Sequence, residues 1–155
     1  MSLEVGDKAP DFSLPTDGSG KVSLKELRGK TVVLYFYPRD DTPGCTAEAC
    51  AFRESLPDFS KVKAEVVGIS RDSVASHDKF KKKFKLTFPL ASDEDGKVTE
   101  AYGVWVEKSM YGKKYMGIER ATFLIDAKGV ILEVWHKVKV DGHADEVLKA
   151  AEGLR

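Results

Sequence analysis

With 155 residues, 42% hydrophobic and 32% charged, the chain fits one globular domain over 1–155, large enough for a core of its own. Its 25 basic and 25 acidic residues cancel, which argues against bulk attraction to nucleic acid or to an anionic membrane. No apolar run approaches the ~18 residues of a membrane span. The start, Met1 to Lys8, shows neither the basic nor the apolar region of a signal peptide, so a cytoplasmic setting is expected. In chain order, Asp11 to Leu14 alternates as a short strand, Thr16 to Gly20 is a turn, and Lys21 to Leu24 returns as a hairpin partner. Ser23 caps a short helix ending at Gly29. Thr31 to Tyr37 is a continuous β-rich run, as a buried central strand requires. A helix follows from Pro43, and Pro57 interrupts it or starts the next turn.

Glu65 to Ser70 is a second buried strand, and Ser73 caps a helix carrying Val74, His77, Phe80 and Phe84 on one side. Phe88 to Leu90 reads as a short strand and Lys97 to Tyr102 as a helix. For Trp105, Tyr111, Tyr115 and Met116 core packing is expected, ahead of a loop near a site. The triple Lys81-Lys82-Lys83 reads as a solvated helix face. Ala121 to Ile125 and Val130 to Trp135 are strands around the turn Asp126-Ala127-Lys128-Gly129, and Ala144 to Ala151 is the last helix. A βαβα beginning and a ββα ending predict a thioredoxin-like α/β fold. Its central mixed sheet is flanked by helices and preceded by an N-terminal β-hairpin.

The chemistry concentrates at the only two cysteines, Cys45 and Cys50. Thr42 is a good N-cap residue and Pro43 falls at N1, where a missing N–H costs nothing. Gly44 lets the backbone pass close to a bound group. Cys45 falls at about N3, where unpaired amides and the positive helix end favour a thiolate. Asp40 and Asp41 oppose that charge if they point inward, Arg39 assists it, and a further cation from elsewhere in the fold is expected. Helix phase places Cys45 with Ala49, Phe52, Leu56 and Phe59 on the sheltered stripe and leaves Cys50 nearer solvent. Positions five apart in an intact helix have Cα atoms roughly 8.7 Å apart and side chains turned by ~140°. A disulfide needs less than about 7 Å and converging Cβ vectors. If the two thiols react, the first turns of the helix must unwind. His77, His136 and His143 show no ligand spacing with the cysteines, so neither metal nor cofactor is expected. On the residues alone Thr42 is a cap, Pro38 a strand terminator, Arg120 a surface charge, and Cys50 an incidental thiol or a partner for Cys45.

Pro38-x-x-x-Thr42-x-x-Cys45 resembles the active-site signature of peroxiredoxins. The fuller Thr42-Pro43-Gly44-Cys45-Thr46-x-Glu48-x-Cys50 resembles their Q-type, or bacterioferritin-comigratory-protein, subfamily. Gly6-Asp7-x-Ala9-Pro10-Asp11-Phe12 and Arg120 to Asp126 extend the likeness over essentially the whole chain. The resemblance implies a thiol peroxidase that reduces hydrogen peroxide and organic hydroperoxides. Cys45 would be the peroxidatic cysteine, and Cys50 the resolving one in an intramolecular Cys45–Cys50 disulfide. Thr42 would hydrogen-bond the peroxide, Pro38 would shield the thiolate, and Arg120 would be the missing cation, oriented by Glu48. Thioredoxin or a similar dithiol would be the reductant, and the chain would be a monomer. A thioredoxin-like protein-disulfide oxidoreductase is the alternative, although that chemistry ordinarily uses Cys-x-x-Cys. A non-enzymatic chaperone using exposed aromatics is the third reading.

Overall fold

The computed structural model describes residues 3–153. Strands β1 (Ser13–Thr16) and β2 (Gly20–Ser23) form the expected N-terminal hairpin, which closes through a short 3-10 turn. The Ser23 hydroxyl accepts from the Glu26 N–H at 3.2 Å and starts a second 3-10 turn. Then come β3 (Thr31–Phe36), helix α1 (Pro43–Lys61), β4 (Ala64–Ser70), α2 (Val74–Phe84), β5 (Leu90–Ser92) and α3 (Lys97–Ala101). The chain ends with β6 (Trp105–Met110), β7 (Lys113–Ile118), β8 (Ala121–Ile125), β9 (Ile131–Trp135) and α4 (His143–Glu152).

Seven strands make one mixed sheet in the order β2-β1-β5-β4-β3-β8-β9, with β3, β4 and β5 parallel and the other pairings antiparallel. Strand β3 lies inside this sheet and is buried on both faces, which explains its unbroken apolar run. Its alternation sorts the core into two halves. Val32, Leu34 and Phe36 pack with Phe12, Ile69, Tyr102 and Phe123 on one face. Val33, Tyr35 and Tyr37 pack with Cys45, Phe52, Phe59, Phe80 and Val147 on the other, under α1, α2 and α4. Phe52 and Phe59 are fully buried, and truncating either to alanine costs about 3–5 kcal/mol. That packing carries α1 straight through Pro57 as one helix of 19 residues, so the proline neither interrupts it nor begins a new turn.

One further expectation is corrected. Strands β6 and β7 form a separate two-stranded sheet, not a segment packed in the core. Tyr111 (φ +53°) and Gly112 (φ +79°) are the two central residues of its tight turn, both with the positive φ that a type I′ hairpin demands. Tyr111 is 98% exposed and Met110, Tyr115 and Met116 are exposed beside it; Trp105, under the Arg71 guanidinium at 3.3 Å, and Ile118 at the other end of the hairpin pack against the core. The lysine triple lies on the expected solvated face at Lys82 and Lys83, where Lys83 pairs with Asp41 at 2.9 Å, while Lys81 is half-buried and pairs with Asp17 at 2.7 Å.

Candidate active site

The site lies at the end of the sheet where β3 hands the chain to α1. Strand β8 runs antiparallel to β3 with Phe36 opposite Ala121, so Arg120 emerges beside the loop of residues 38–42. Topology thus joins two segments that lie 75 residues apart in the chain.

Cys45 occupies the third position of α1, 2% exposed, and Cys50 is half-buried; both are free thiols. The burial difference follows the helix phase. Arg120 is the cation brought from elsewhere in the fold. Its Nη2 donates to Cys45 Sγ at 3.3 Å and its Nη1 to Glu48 Oε1 at 2.7 Å. Glu48, one turn after Cys45, is 2% exposed, and no group among the described residues bonds its Oε2. Burial pushes the Glu48 carboxyl up to about 7, against the opposing pull of Arg120. Burial lowers the basicity of Arg120, but the Glu48 and Cys45 charges outweigh it and raise its pKa. An alanine Cβ at position 44 would come within 3.2 Å of Arg120 Nη2, so Gly44 leaves the space through which the guanidinium reaches sulfur.

Thr42 has the extended backbone of an N-cap residue, with φ −100° and ψ 155°, yet its side chain caps nothing. Its hydroxyl donates instead to the Arg39 carbonyl at 3.0 Å. This differs from the expected cap and has a consequence. The proton is committed, and the oxygen is left to accept. The Gly44 and Cys45 N–H groups belong to the first turn, which has no intrahelical acceptor for them. Pro38 is half-buried between β3 and this turn. Asp40 does not face the thiol, because Tyr37, Ser76 and His77 hold its carboxylate. Asp41, with φ +58°, turns outward to Lys83, and Arg39 is exposed.

Two residues near the site, and the partner of a third, escape sequence reasoning. Tyr35 is fully buried with its hydroxyl unbonded among the described residues; burial, then the Glu48 and Cys45 charges, keep it neutral. Lys108 on β6 is half-buried, and burial together with the Arg120 charge pushes its ammonium pKa down. His77 is fully buried against Asp40. Among the described residues the only cluster of metal-ligating side chains is Asp40, Asp72 and His77, and their polar atoms are spent on one another and on neighbours.

A thiol held at a helix N-terminus by a shared guanidinium limits the families to which such a chain can belong, and comparison with known proteins agrees. Residues 5–134 match the AhpC/TSA family. A bcp relative from Coxiella burnetii is 60% identical over 96% of this chain and 98% of its own length. The peroxiredoxin Bcp of Bacillus subtilis is 48% identical over 99% and 98%. The Xanthomonas campestris bacterioferritin comigratory protein, solved in intermediate and ligand complexes bearing on alkyl peroxide reduction, superposes with a TM-score of 0.90. It is 46% identical and covers 97% of this chain and 96% of that one. Sequence, fold and site geometry converge: the chain belongs to the AhpC/TSA family and, within it, to the Bcp, or Q-type, peroxiredoxins.

Proposed function

We propose that this thiol peroxidase works through Cys45 as its peroxidatic cysteine and Cys50 as its resolving cysteine. The observation that carries the reading is the Arg120 guanidinium, which reaches Cys45 Sγ with one nitrogen and Glu48 with the other. A thiolate at that point gains a charge-assisted hydrogen bond and the positive end of α1. Its sulfur attacks one peroxide oxygen as the O–O bond breaks. The departing oxygen takes a proton and leaves as water or alcohol, and Cys45 becomes a sulfenic acid. The committed proton of Thr42 supports an accepting role: its oxygen takes the peroxide O–H, while Arg120 and the first-turn N–H groups stabilise charge on the oxygens. Pro38 limits water at the sulfur, Gly44 keeps the guanidinium's approach open, and Glu48 fixes its orientation.

In the second half-reaction the Cys50 thiol attacks the sulfenic sulfur and water leaves, forming an intramolecular Cys45–Cys50 disulfide. That step requires the start of α1 to unwind, since five positions of intact helix hold the Cα atoms roughly 8.7 Å apart. Thioredoxin or a similar dithiol then restores both thiols. We further assign the whole chain, 1–155, to one monomeric, cytoplasmic unit. Resolution within one chain needs no second subunit, and no helix among the described residues is long and apolar enough to cross a membrane.

The test is a mass spectrum after one equivalent of peroxide. Loss of two hydrogens, mapped to a Cys45–Cys50 bond, is the expected result. Peroxide consumption with thioredoxin and its reductase is expected to vanish in Cys45→Ser, and full turnover in that variant overturns the reading.

A further inference from the structure

Two residues before Thr42 the chain buries an acid. Asp40 Oδ1 accepts from the Tyr37 hydroxyl at 2.6 Å. Its Oδ2 accepts from the Ser76 hydroxyl at 2.8 Å and lies 2.7 Å from His77 Nδ1. The other ring nitrogen, Nε2, lies 3.0 Å from the Ala91 carbonyl oxygen. A carbonyl only accepts, so Nε2 carries a proton. Asp40, receiving the Tyr37 and Ser76 donors, is held as a carboxylate, so Nδ1 carries a proton too. His77 is therefore an imidazolium with no exposed surface, paired with a carboxylate whose side chain is 4% exposed. The backbone is fastened at the same point: Asp40 N–H donates to Asp72 Oδ2 at 2.8 Å, and that oxygen also accepts from the Ser70 hydroxyl at 2.6 Å.

We propose that Asp40 and His77 are a positioning pair for the peroxide step: their buried ion pair bolts the 38–42 loop to the start of α2 and so holds the Arg39 carbonyl and the Thr42 hydroxyl in register with Cys45. The proposal rests on the reading of Cys45 and Thr42 above. Neither partner touches the reacting atoms. Asp40 instead fixes the residue next to Arg39, whose carbonyl takes the Thr42 proton. A cleft of about 320 Å³ opens beside the pair, rimmed by Asp41, Lys79 and Lys83.

The pair also makes the step sensitive to protons. Burial pushes the imidazole pKa down, but the hydrogen bond and charge of Asp40, the Ala91 carbonyl and the Asp72 charge together raise it above its ordinary value. The groups that face His77 are Asp40 from the loop, Tyr37 after β3, Asp72 after β4, Ser76 on its own helix and the Ala91 carbonyl of β5; Asp41 and Lys83 pair with each other at the rim. Below the folded pKa of His77 the pair is intact. As pH rises through it the imidazole loses one proton, the charge attraction goes, and the loop loosens.

The experiment is a rapid-mixing measurement of the rate of Cys45 with hydrogen peroxide across neutral and alkaline pH, with thermal unfolding on the same samples. The proteins are wild type, Asp40→Asn, and the double variant Asp40→Ala with His77→Leu, which removes both charges and keeps an apolar core. We expect a rate that falls at alkaline pH in the wild type. Asp40→Asn should lose about tenfold at neutral pH and no longer show that fall. The double variant should fold and should also lack the fall. A folded Asp40→Asn reacting at the wild-type rate overturns the proposal, as does the same alkaline fall in wild type and double variant. A purely structural role would shift unfolding temperature and leave the alkaline fall in place. Failure of the underlying reading is seen separately, as peroxide reduction that survives Cys45→Ser.

Discussion

Two buried acid–base pairs flank the reactive turn, and they are built differently. Upstream, both carboxylate oxygens of Asp40 are bonded, by Tyr37, Ser76 and His77, and the backbone is tied to Asp72. Downstream, Glu48 bonds Arg120 through one oxygen only, its other oxygen has no partner among the described residues, and Arg120 is divided between Glu48 and Cys45. A buried carboxylate with a vacant oxygen bears an uncompensated desolvation cost. The upstream pair is thus an anchor, while the downstream one depends on the charge of its third member, the sulfur. In the proposed cycle Cys45 passes from thiolate to neutral sulfenic acid, and the attraction to Arg120 weakens. The cost of burying Glu48 then remains with less to offset it. The loop through Thr42 stays fastened, and the first turns of α1, which carry Cys45 and Glu48, are the segment released.

The widest test of that contrast is Arg120→Met. It removes the shared cation from both neighbours at once. The rate of Cys45 with peroxide is expected to fall by about 10²–10³-fold, as for loss of a donor aimed at developing charge. Glu48, left buried beside an apolar side chain, should take up a proton at neutral pH, and the loss of the pair should lower stability, read by denaturant unfolding. Unchanged peroxide kinetics in a folded Arg120→Met protein would place the stabilising cation elsewhere.

Cys50→Ser sharpens the comparison from the released side. The first oxidation, one sulfenic acid per chain, should keep its wild-type rate, because Cys50 lies off the stripe that holds Cys45. Turnover with thioredoxin should collapse, and repeated peroxide should drive Cys45 on to sulfinic acid. Mass spectrometry distinguishes the two products. Thioredoxin-dependent turnover at the wild-type rate would remove Cys50 from the cycle.

Glu48→Gln asks whether the downstream pair carries the proton linkage expected of an under-coordinated acid. The folded carboxyl titrates at about 7 and the unfolded one at its ordinary value near 4.3. A raised folded pKa means the folded state binds the extra proton. The associated stability is full below the unfolded value and is lost as pH rises through the folded one. Wild-type stability should therefore fall across that window with a slope of at most about 1.4 kcal/mol per pH unit from this group. The glutamine variant should show a flatter profile by chemical denaturation at several pH values. An identical slope in both proteins removes Glu48 as its source.

How much of this was legible beforehand divides along the same lines. Strand β3, the Ser73 cap (its hydroxyl accepting from Ser76 N–H at 3.1 Å) and the β8–β9 hairpin are written in local pattern, and each is present. So is the contrast between a sheltered Cys45 and a more open Cys50, because helix phase alone sets it. The partners of the anchor are not local. Asp40 and His77 are 37 residues apart and meet only because α2 follows β4 back to the same end of the sheet. Arg120 has no spacing relation to Cys45 and entered through family likeness alone. Pro57 misleads because tertiary packing of Phe52 and Phe59 outweighs one missing backbone bond. The β6–β7 hairpin is hidden by a tyrosine at a turn position where asparagine or aspartate is the usual signal.

The smallest expected effect separates stability from chemistry at a single methyl group. Gly44 lies in the first turn of α1 with no positive φ, so alanine suits its backbone and should stabilise the helix by about 0.5–1 kcal/mol. The new Cβ, however, would sit 3.2 Å from Arg120 Nη2, the same nitrogen that reaches Cys45 Sγ. Contact that tight requires the guanidinium to give by a few tenths of an ångström. Glu48 holds its other nitrogen at 2.7 Å, so the movement falls on the sulfur contact. Gly44→Ala should therefore raise the unfolding temperature slightly while slowing Cys45 oxidation severalfold. A variant that gains stability and keeps its full rate would mean that the Arg120–sulfur distance is not what limits the peroxide step.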